Sequence, residues 1–416
     1  MTTATSARQA LLKQVSDMTT FDFDKIIDRR GTTSEKWDVG AGELPMWVAD
    51  MDFQTAPAIR AAMQKRLDHG IFGYTGIPDL WYEAYIQWWE KRHDFKIEKD
   101  WMIFSTGVVP AISSLVRKLT TPAEKVLVET PIYNIFFNSI LNNGRVPLEC
   151  PLALTEHGYE MDFTSLEEAL SDPQTTLMLL CNPQNPGGRA WDAETLQKLA
   201  ELCRKYGVTV VSDEIHCDLT DPGTSYVPFA SVSDTAKEIS VTCISPSKAF
   251  NVAGMHSAAV IVPNENLRHK VWRGLNTDEV AEPNCFAIET AVAAYTEGEA
   301  WLDALRNYLY ENKKTVAAYL TANIPALKMI PQDATYLLWI KTSDLPKEGK
   351  GFAEFLRRET GLYLCDGQQY GQAGTGFIRM NIACSRTVVM DGLERLKRGT
   401  ELYQNRYAEQ TLTSQW

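Results

Sequence analysis

The sequence has no CxxC pair, no run of about 18 uncharged apolar residues and no excess of basic charge. Each of these gaps excludes something. The eight cysteines, Cys150, Cys181, Cys203, Cys217, Cys243, Cys285, Cys365 and Cys384, lack zinc-ligand spacing, and several lie inside apolar stretches such as Ile239–Ile244. They read as reduced core residues rather than a disulfide frame or a metal site. Without a long apolar run, no membrane helix is expected. Met1–Thr20 is rich in Thr, Ser and Gln and has no apolar centre, so no secretory signal is expected and a cytoplasmic location is the default. That stretch reads as an arm, free or docked on a partner. With 41 Lys and Arg against 53 Asp and Glu, the net charge is −12, which argues against a nucleic-acid partner. There is no internal repeat and no low-complexity segment.

What is present is ordinary globular composition, 44% hydrophobic and 23% charged, over 416 residues, enough for two or three domains. Strand-like and helix-like segments alternate through the middle. Trp101–Ser105, Lys125–Glu129, Thr175–Cys181, Val208–Ser212, Ile239–Ser245 and Ser257–Val262 are short apolar or β-branched runs. Between them, Val108–Leu119, Tyr133–Leu141 and Asp192–Tyr206 have the spacing of helices. In the last of these, Leu196, Leu199, Ala200, Cys203 and Tyr206 form one stripe, and Gly207 follows as a cap. Strands apolar on both faces and separated by helices predict a parallel sheet covered on both sides. After about residue 290 the pattern changes to a long helix, Trp301–Ala322, and two strands, Tyr336–Ile340 and Phe377–Ile382, as in a smaller α+β unit.

Parallel sheets bind ligands beyond the carboxyl ends of their strands. Four polar stretches fall there: Thr106-Gly107-Val108, Asn182–Gly188, Asp213–His216 and Ser245–Asn251. A lysine on such a turn, here Lys248, can act as a Schiff-base nucleophile when partly desolvated. Asp213 can hold a proton on a heterocyclic nitrogen, and a glycine before a helix, Gly107, leaves N–H groups for a phosphate. Lysine, carboxylate and phosphate cradle are the anchors of pyridoxal phosphate. Taken singly, the lysine motif could be a surface turn and Asn182–Gly188 a simple loop. Asp213 and His216 could be metal ligands, but their spacing does not converge without further ligands. Their appearance in order, each after a strand, carries the reading, and no metal is expected.

These motifs resemble the signatures of fold-type I pyridoxal-phosphate enzymes, the class I/II aminotransferase superfamily. Pro-Gln-Asn185-Pro-Gly-Gly is similar to one signature, Ser-Asp213-Glu-Ile-His to a second and Ser-Pro-Ser-Lys248-Ala-Phe-Asn to a third. Lys36-Trp37-Asp38, Leu44–Phe53, His69–Tyr74 and Gly376–Asn381 resemble the PatB/MalY-type cystathionine β-lyase, or C–S lyase, branch. The likeness runs from about Phe21 to Gly399. It implies an α/β fold: a large cofactor domain with a mostly parallel seven-stranded sheet covered by helices, and a smaller α+β C-terminal domain. The implied division is 1–60 as an N-terminal segment packing on the small domain and a partner subunit, 61–295 as the large domain and 296–416 as the small one.

The resemblance also implies roles. Lys248 carries the cofactor, and Asp213 pairs with its ring nitrogen. Asn185 and His216 face its 3′ oxygen, and Tyr133 stacks on the ring. Gly107, Val108, Ser245 and Ser247 meet the phosphate, as does Tyr74 from a neighbouring subunit, which requires a homodimer. Arg379, with Asn185 beside it, binds the substrate carboxylate. Two positions depart from the wider superfamily. Gly187 replaces a common threonine, and His256 stands where aminotransferases often carry a phosphate-binding arginine. The implied reaction is β-elimination from L-cystathionine or a related cysteine S-conjugate to thiol, pyruvate and ammonia. Lys248 acts as base, and Tyr133 or Tyr74 is available to assist the leaving thiolate. A transaminase is the first alternative, and a regulator acting through protein contact is the second. Trp47 and Phe53 are expected to anchor the N-terminal segment, Tyr133 could alternatively be plain core, and Trp81, Trp88 and Trp89 read as a buried helix face or dimer contact.

Overall fold

The computed structural model describes residues 21–413; the expected arm at Met1–Thr20 lies outside the described residues. The centre is a seven-stranded sheet, in chain order β1 (Met102–Ser105), β2 (Lys125–Thr130), β3 (Val146–Pro151), β4 (Thr175–Cys181), β5 (Thr209–Asp213), β6 (Ser240–Ile244) and β7 (Ala258–Ile261). Across the sheet they run β1-β7-β6-β5-β4-β2-β3. All point the same way except β7, which is antiparallel to both its neighbours.

Side chains of a strand alternate between faces, and here both faces are apolar. On β4, Leu177, Leu179 and Cys181 pack with Ile112, Leu115 and Val116 of helix Val108–Leu119 and with Val271 and Leu275 of helix Glu265–Thr277. Met178 and Leu180 pack the other way, against Leu166 and Leu170 and against Leu196, Leu199, Ala200 and Cys203. Asp192 accepts the Thr195 N–H at the start of helix Ala193–Tyr206, and Gly207 ends it in the left-handed region at φ 72°, where glycine has no Cβ penalty.

A second sheet of four antiparallel strands, Lys328–Met329, Leu337–Lys341, Phe377–Asn381 and Cys365–Asp366 in spatial order, packs with helices Glu299–Asn323 and Phe352–Thr360 and with the helix beginning at Arg386. Strand Leu44–Pro45 pairs in parallel with Leu362–Tyr363. The earlier segment is fixed by aromatic contacts, with the Phe23 ring 5.1 Å from Phe53 and 5.8 Å from Trp301. Trp47 stacks on Tyr363 at 4.9 Å, so both expected anchors do anchor. Trp81, Trp88 and Trp89 form the buried face of helix Asp79–His93. All eight cysteines are free, seven of them buried. Among the described residues no helix is long and apolar enough to cross a membrane.

Candidate active site

The carboxyl ends of β1, β4, β5 and β6 converge on a cavity of about 210 Å³. Gly107, Val108, Tyr133, Asn185, Asp213, His216, Ser247 and Lys248 all line it, together with Thr106, Cys181, Ile215, His256 and Ala49. The sequence therefore brings eight of its eleven expected residues to one wall. The other three lie elsewhere. Arg379 reaches the cavity through Asn185, to whose Oδ1 its Nη1 donates at 3.1 Å. Ser245 stands behind Ser247: its hydroxyl donates to the Ser257 carbonyl at 2.6 Å and accepts the Ser247 N–H at 3.1 Å. Tyr74 is fully exposed and does not line the cavity of its own chain.

Asp213 is the last residue of β5, in register between Cys181 of β4 and Cys243 of β6. Flanked on both sides, the residue is 4% exposed. Burial pushes its pKa up to about 7, against the opposing pull of the Ile215 N–H and the Lys248 charge. Lys248 follows β6 on a tight turn in which the Phe250 and Val252 N–H groups bond back to Pro246 and Ser247. Its Nζ donates to the Ala49 carbonyl at 2.7 Å. Burial brings the amine down to about 8, helped by the Arg379 charge and opposed by Asp50 and Asp213. His216 is held neutral, its pKa lowered to about 3 by burial and by the charges of Lys248 and Arg379. Burial pushes the Tyr133 hydroxyl up to about 12.

These side chains fit pyridoxal phosphate, and several are incomplete without a ligand. Among the described residues, the Nδ1 of His216 is buried and finds no partner. Gly107 offers no side-chain cap to helix Val108–Leu119, so the first N–H groups of that helix open towards the cavity. Arg379 is 4% exposed, yet its guanidinium meets only neutral groups: Asn185 Oδ1, the Trp47 carbonyl at 2.9 Å and Cys365 Sγ at 3.7 Å. Its Nε finds no partner among the described residues. A buried cation without a counter-charge is costly, and a carboxylate would match its fork.

The loop Asn182–Gly188 that presents Asn185 is tied to the second sheet. Gln332 Nε2 donates to the Pro186 carbonyl at 3.1 Å, and the Asp333 and Ala334 N–H groups donate to Gly188 at 2.8 and 2.9 Å. A second polar cluster, His93, Cys217 and Asp218, lies near a larger cleft. Asp218 there already accepts from His93 at 3.0 Å and Trp88 at 3.1 Å and lies 3.7 Å from Arg92 Nε, which is a satisfied buried anion.

Sequence reasoning placed Thr106 and Ile215 in the strand-end stretches without giving them a role, missed Ala49 and Cys181 as wall residues, and treated His256 only as a departure. Position eight past the lysine was the available signal for His256. Ala49 contributes a backbone carbonyl, which no residue type advertises.

The model of the family described as aminotransferase class I and II matches residues 41–396. The chain is 43% identical over 383 residues to the cystathionine beta-lyase PatB of Bacillus subtilis (strain 168), spanning 90% of this chain and 99% of that relative. Among solved structures it resembles cystalysin from Treponema denticola, which contains a pyridoxal 5′-phosphate cofactor, at TM-score 0.89 and 32% identity, over 92% of this chain and 99% of that one. It also resembles the PLP-bound C–S lyase of Staphylococcus hominis at TM-score 0.86 and 33% identity, over 91% and 99% of the two chains.

Proposed function

Because the chain belongs to the aminotransferase class I and II family, we propose that it is a pyridoxal-phosphate-dependent carbon–sulfur β-lyase. It converts L-cystathionine or a related cysteine S-conjugate and water to a thiol, pyruvate and ammonium. The observation that carries this reading is a buried amine and a buried carboxyl lining one cavity, Lys248 and Asp213, with the buried guanidinium of Arg379 joined to that wall through Asn185. The names of the similar proteins favour elimination over transamination.

Lys248 would hold the cofactor covalently, Asp213 its ring nitrogen, Tyr133 its ring face, and Asn185 and His216 its 3′ oxygen. The N–H groups at Gly107 and Val108, with Ser247 and Ser245, would meet the phosphate. When bound, the cofactor supplies an aldehyde for the amine and a ring that accepts the charge left at Cα. Arg379 and Asn185 orient the substrate by its α-carboxylate. The Lys248 amine, when free, would take the Cα proton; a pKa of about 8 suits a base working near neutrality. Tyr133, protonated throughout the neutral range, can donate to the leaving sulfur.

Residues 61–295 form the cofactor domain and 296–416 the domain presenting Arg379, a division supported by β1–β7 all lying between residues 102 and 261 and the second sheet between 328 and 381. The working form is a homodimer in which the partner subunit's Tyr74 reaches the phosphate. The exposed run Leu67, Ile71, Phe72, Tyr74 and Leu80 supports such a contact. Eight unpaired cysteines support a reducing, cytoplasmic location. The test is incubation with L-cystathionine without any keto acid. Thiol and pyruvate should appear in equal amounts, and a requirement for added keto acid would make the protein a transaminase instead.

A further inference from the structure

Segment 46–53 runs between strand Leu44–Pro45 and helix Pro57–His69 without regular structure, yet six consecutive carbonyls, from Met46 to Met51, all accept hydrogen bonds. Met46 accepts the Asn381 N–H at 2.9 Å. Trp47 accepts Arg379 Nη2 at 2.9 Å and Ala49 accepts Lys248 Nζ at 2.7 Å. Val48 and Asp50 both accept Nδ2 of Asn381, each at 2.6 Å. Met51 accepts Asn251 Nδ2 at 3.0 Å, and its N–H donates back to Asn251 Oδ1 at 3.0 Å. Asn251 adopts the left-handed conformation, φ 55°, which asparagine tolerates. The carboxylates of the segment are fixed from outside: Asp52 by Lys36 at 2.9 Å and by Trp37 and Arg29 at 2.8 Å, and Asp50 by Arg29 at 2.6 Å.

The two cations of the active site are thus held by carbonyls two residues apart on one strap, and the residues alternating with them are pinned by a single amide. Asn381 is 1% exposed and is itself oriented by the Ala383 N–H, which donates to its Oδ1 at 2.7 Å. We propose that Asn381 is a positioning residue that couples the two binding events of the site, cofactor attachment at Lys248 and carboxylate binding at Arg379. This rests on the functional reading above. Attachment at Lys248 removes the stronger of the two donors to the Ala49 carbonyl, leaving it to the Tyr336 hydroxyl at 3.1 Å. A carboxylate on the Nε–Nη2 edge of Arg379 needs only Nη2 freed from Trp47, since Nε finds no partner among the described residues. With Val48 and Asp50 pinned, the peptides at 47 and 49 shift together. The first ligand therefore bears the cost of moving the strap, and the second binds without it. Charge alone acts in the opposite sense, because the cofactor adds a phosphate and consumes a cation near Arg379.

The experiment uses the full chain freed of cofactor, titrated with pyridoxal phosphate by absorbance, with and without sodium propionate at constant ionic strength. Propionate carries the carboxylate but no amine. The expected result is that propionate tightens cofactor binding by about fivefold or more, and that the cofactor tightens propionate binding by the same factor. In Asn381→Asp, which keeps the acceptor for Ala383 but removes both donors, each ligand still binds and the factor falls to near one; Asn381→Ala behaves likewise. Independent or antagonistic binding in the native protein, or an unchanged factor in a folded variant, overturns the coupling alone. A protein that takes up no cofactor overturns the functional reading and the coupling with it.

Discussion

The depressed pKa of Lys248 has a kinetic consequence that can be worked out. Only the neutral amine attacks an aldehyde. At pH 7, an amine with a pKa of about 8 is neutral about one tenth of the time, whereas an ordinary lysine at 10.5 is neutral about once in 3,000. Burial and the Arg379 charge therefore supply about a 300-fold larger reactive fraction. Cofactor uptake by the cofactor-free protein, followed by absorbance in stopped flow, should rise about tenfold per pH unit from pH 6 to 7 and level off above about 8. Arg379→Met removes the second of the two causes of the depression, so its plateau should move to higher pH while the slope below it stays the same. An uptake rate that still climbs tenfold per unit from pH 8 to 10 would refute the reasoning, and so would a plateau unmoved by Arg379→Met.

Glu129, on β2, is 4% exposed, and burial pushes its pKa up to about 8. The folded state then keeps a proton that the unfolded chain releases above about pH 4.5, so stability falls with rising pH by about 1.4 kcal/mol per unit until about pH 8. Glu129→Gln should remove that slope, gaining about 3 kcal/mol relative to the native protein between pH 4.5 and 7; urea unfolding at several pH values checks it, and a pH-independent difference contradicts it. Light scattering should give twice the 46.8 kDa chain mass. Tyr74→Phe, although its side chain is fully exposed in one chain, should weaken cofactor binding by about 1.5–3 kcal/mol, the range for a hydrogen bond to a charged group.

Much of the cofactor cavity was legible because residue type, strand end and turn coincide. Asp213, Lys248, Asn185 and Gly107 each follow a buried strand whose apolar run marks it. The strand at Val146–Pro151 was not legible. It is a half-exposed edge carrying two prolines, so neither alternation nor an apolar run announces it. The reversal of β7 was equally hidden, since a strand buried on both faces has the same composition in either direction. The hydroxyl of Ser245 also bonds the Ser257 carbonyl and the Ser247 hydroxyl; motif spacing shows that a hydroxyl is present, not these further partners. Segment 46–53 was readable only as a likeness, because its contribution is made by carbonyls, which every residue has.

The ties between the Asn185 loop and the second sheet bear on how the molecule can flex. Asn185 belongs to one sheet's connections and Arg379 to the other's, so a swing between the two sheets would be expected to open the gap between them. Gln332, Asp333 and Ala334 bind the loop from the Arg379 side, while the Asn182 N–H bonds the Asp213 carbonyl at 2.9 Å and Gln184 bonds the Pro131 carbonyl on the first sheet's side. Segment 46–53 likewise holds both Lys248 and Arg379, so opening the molecule to admit an amino acid would have to strain ties on both sides of the site rather than swing one jaw freely.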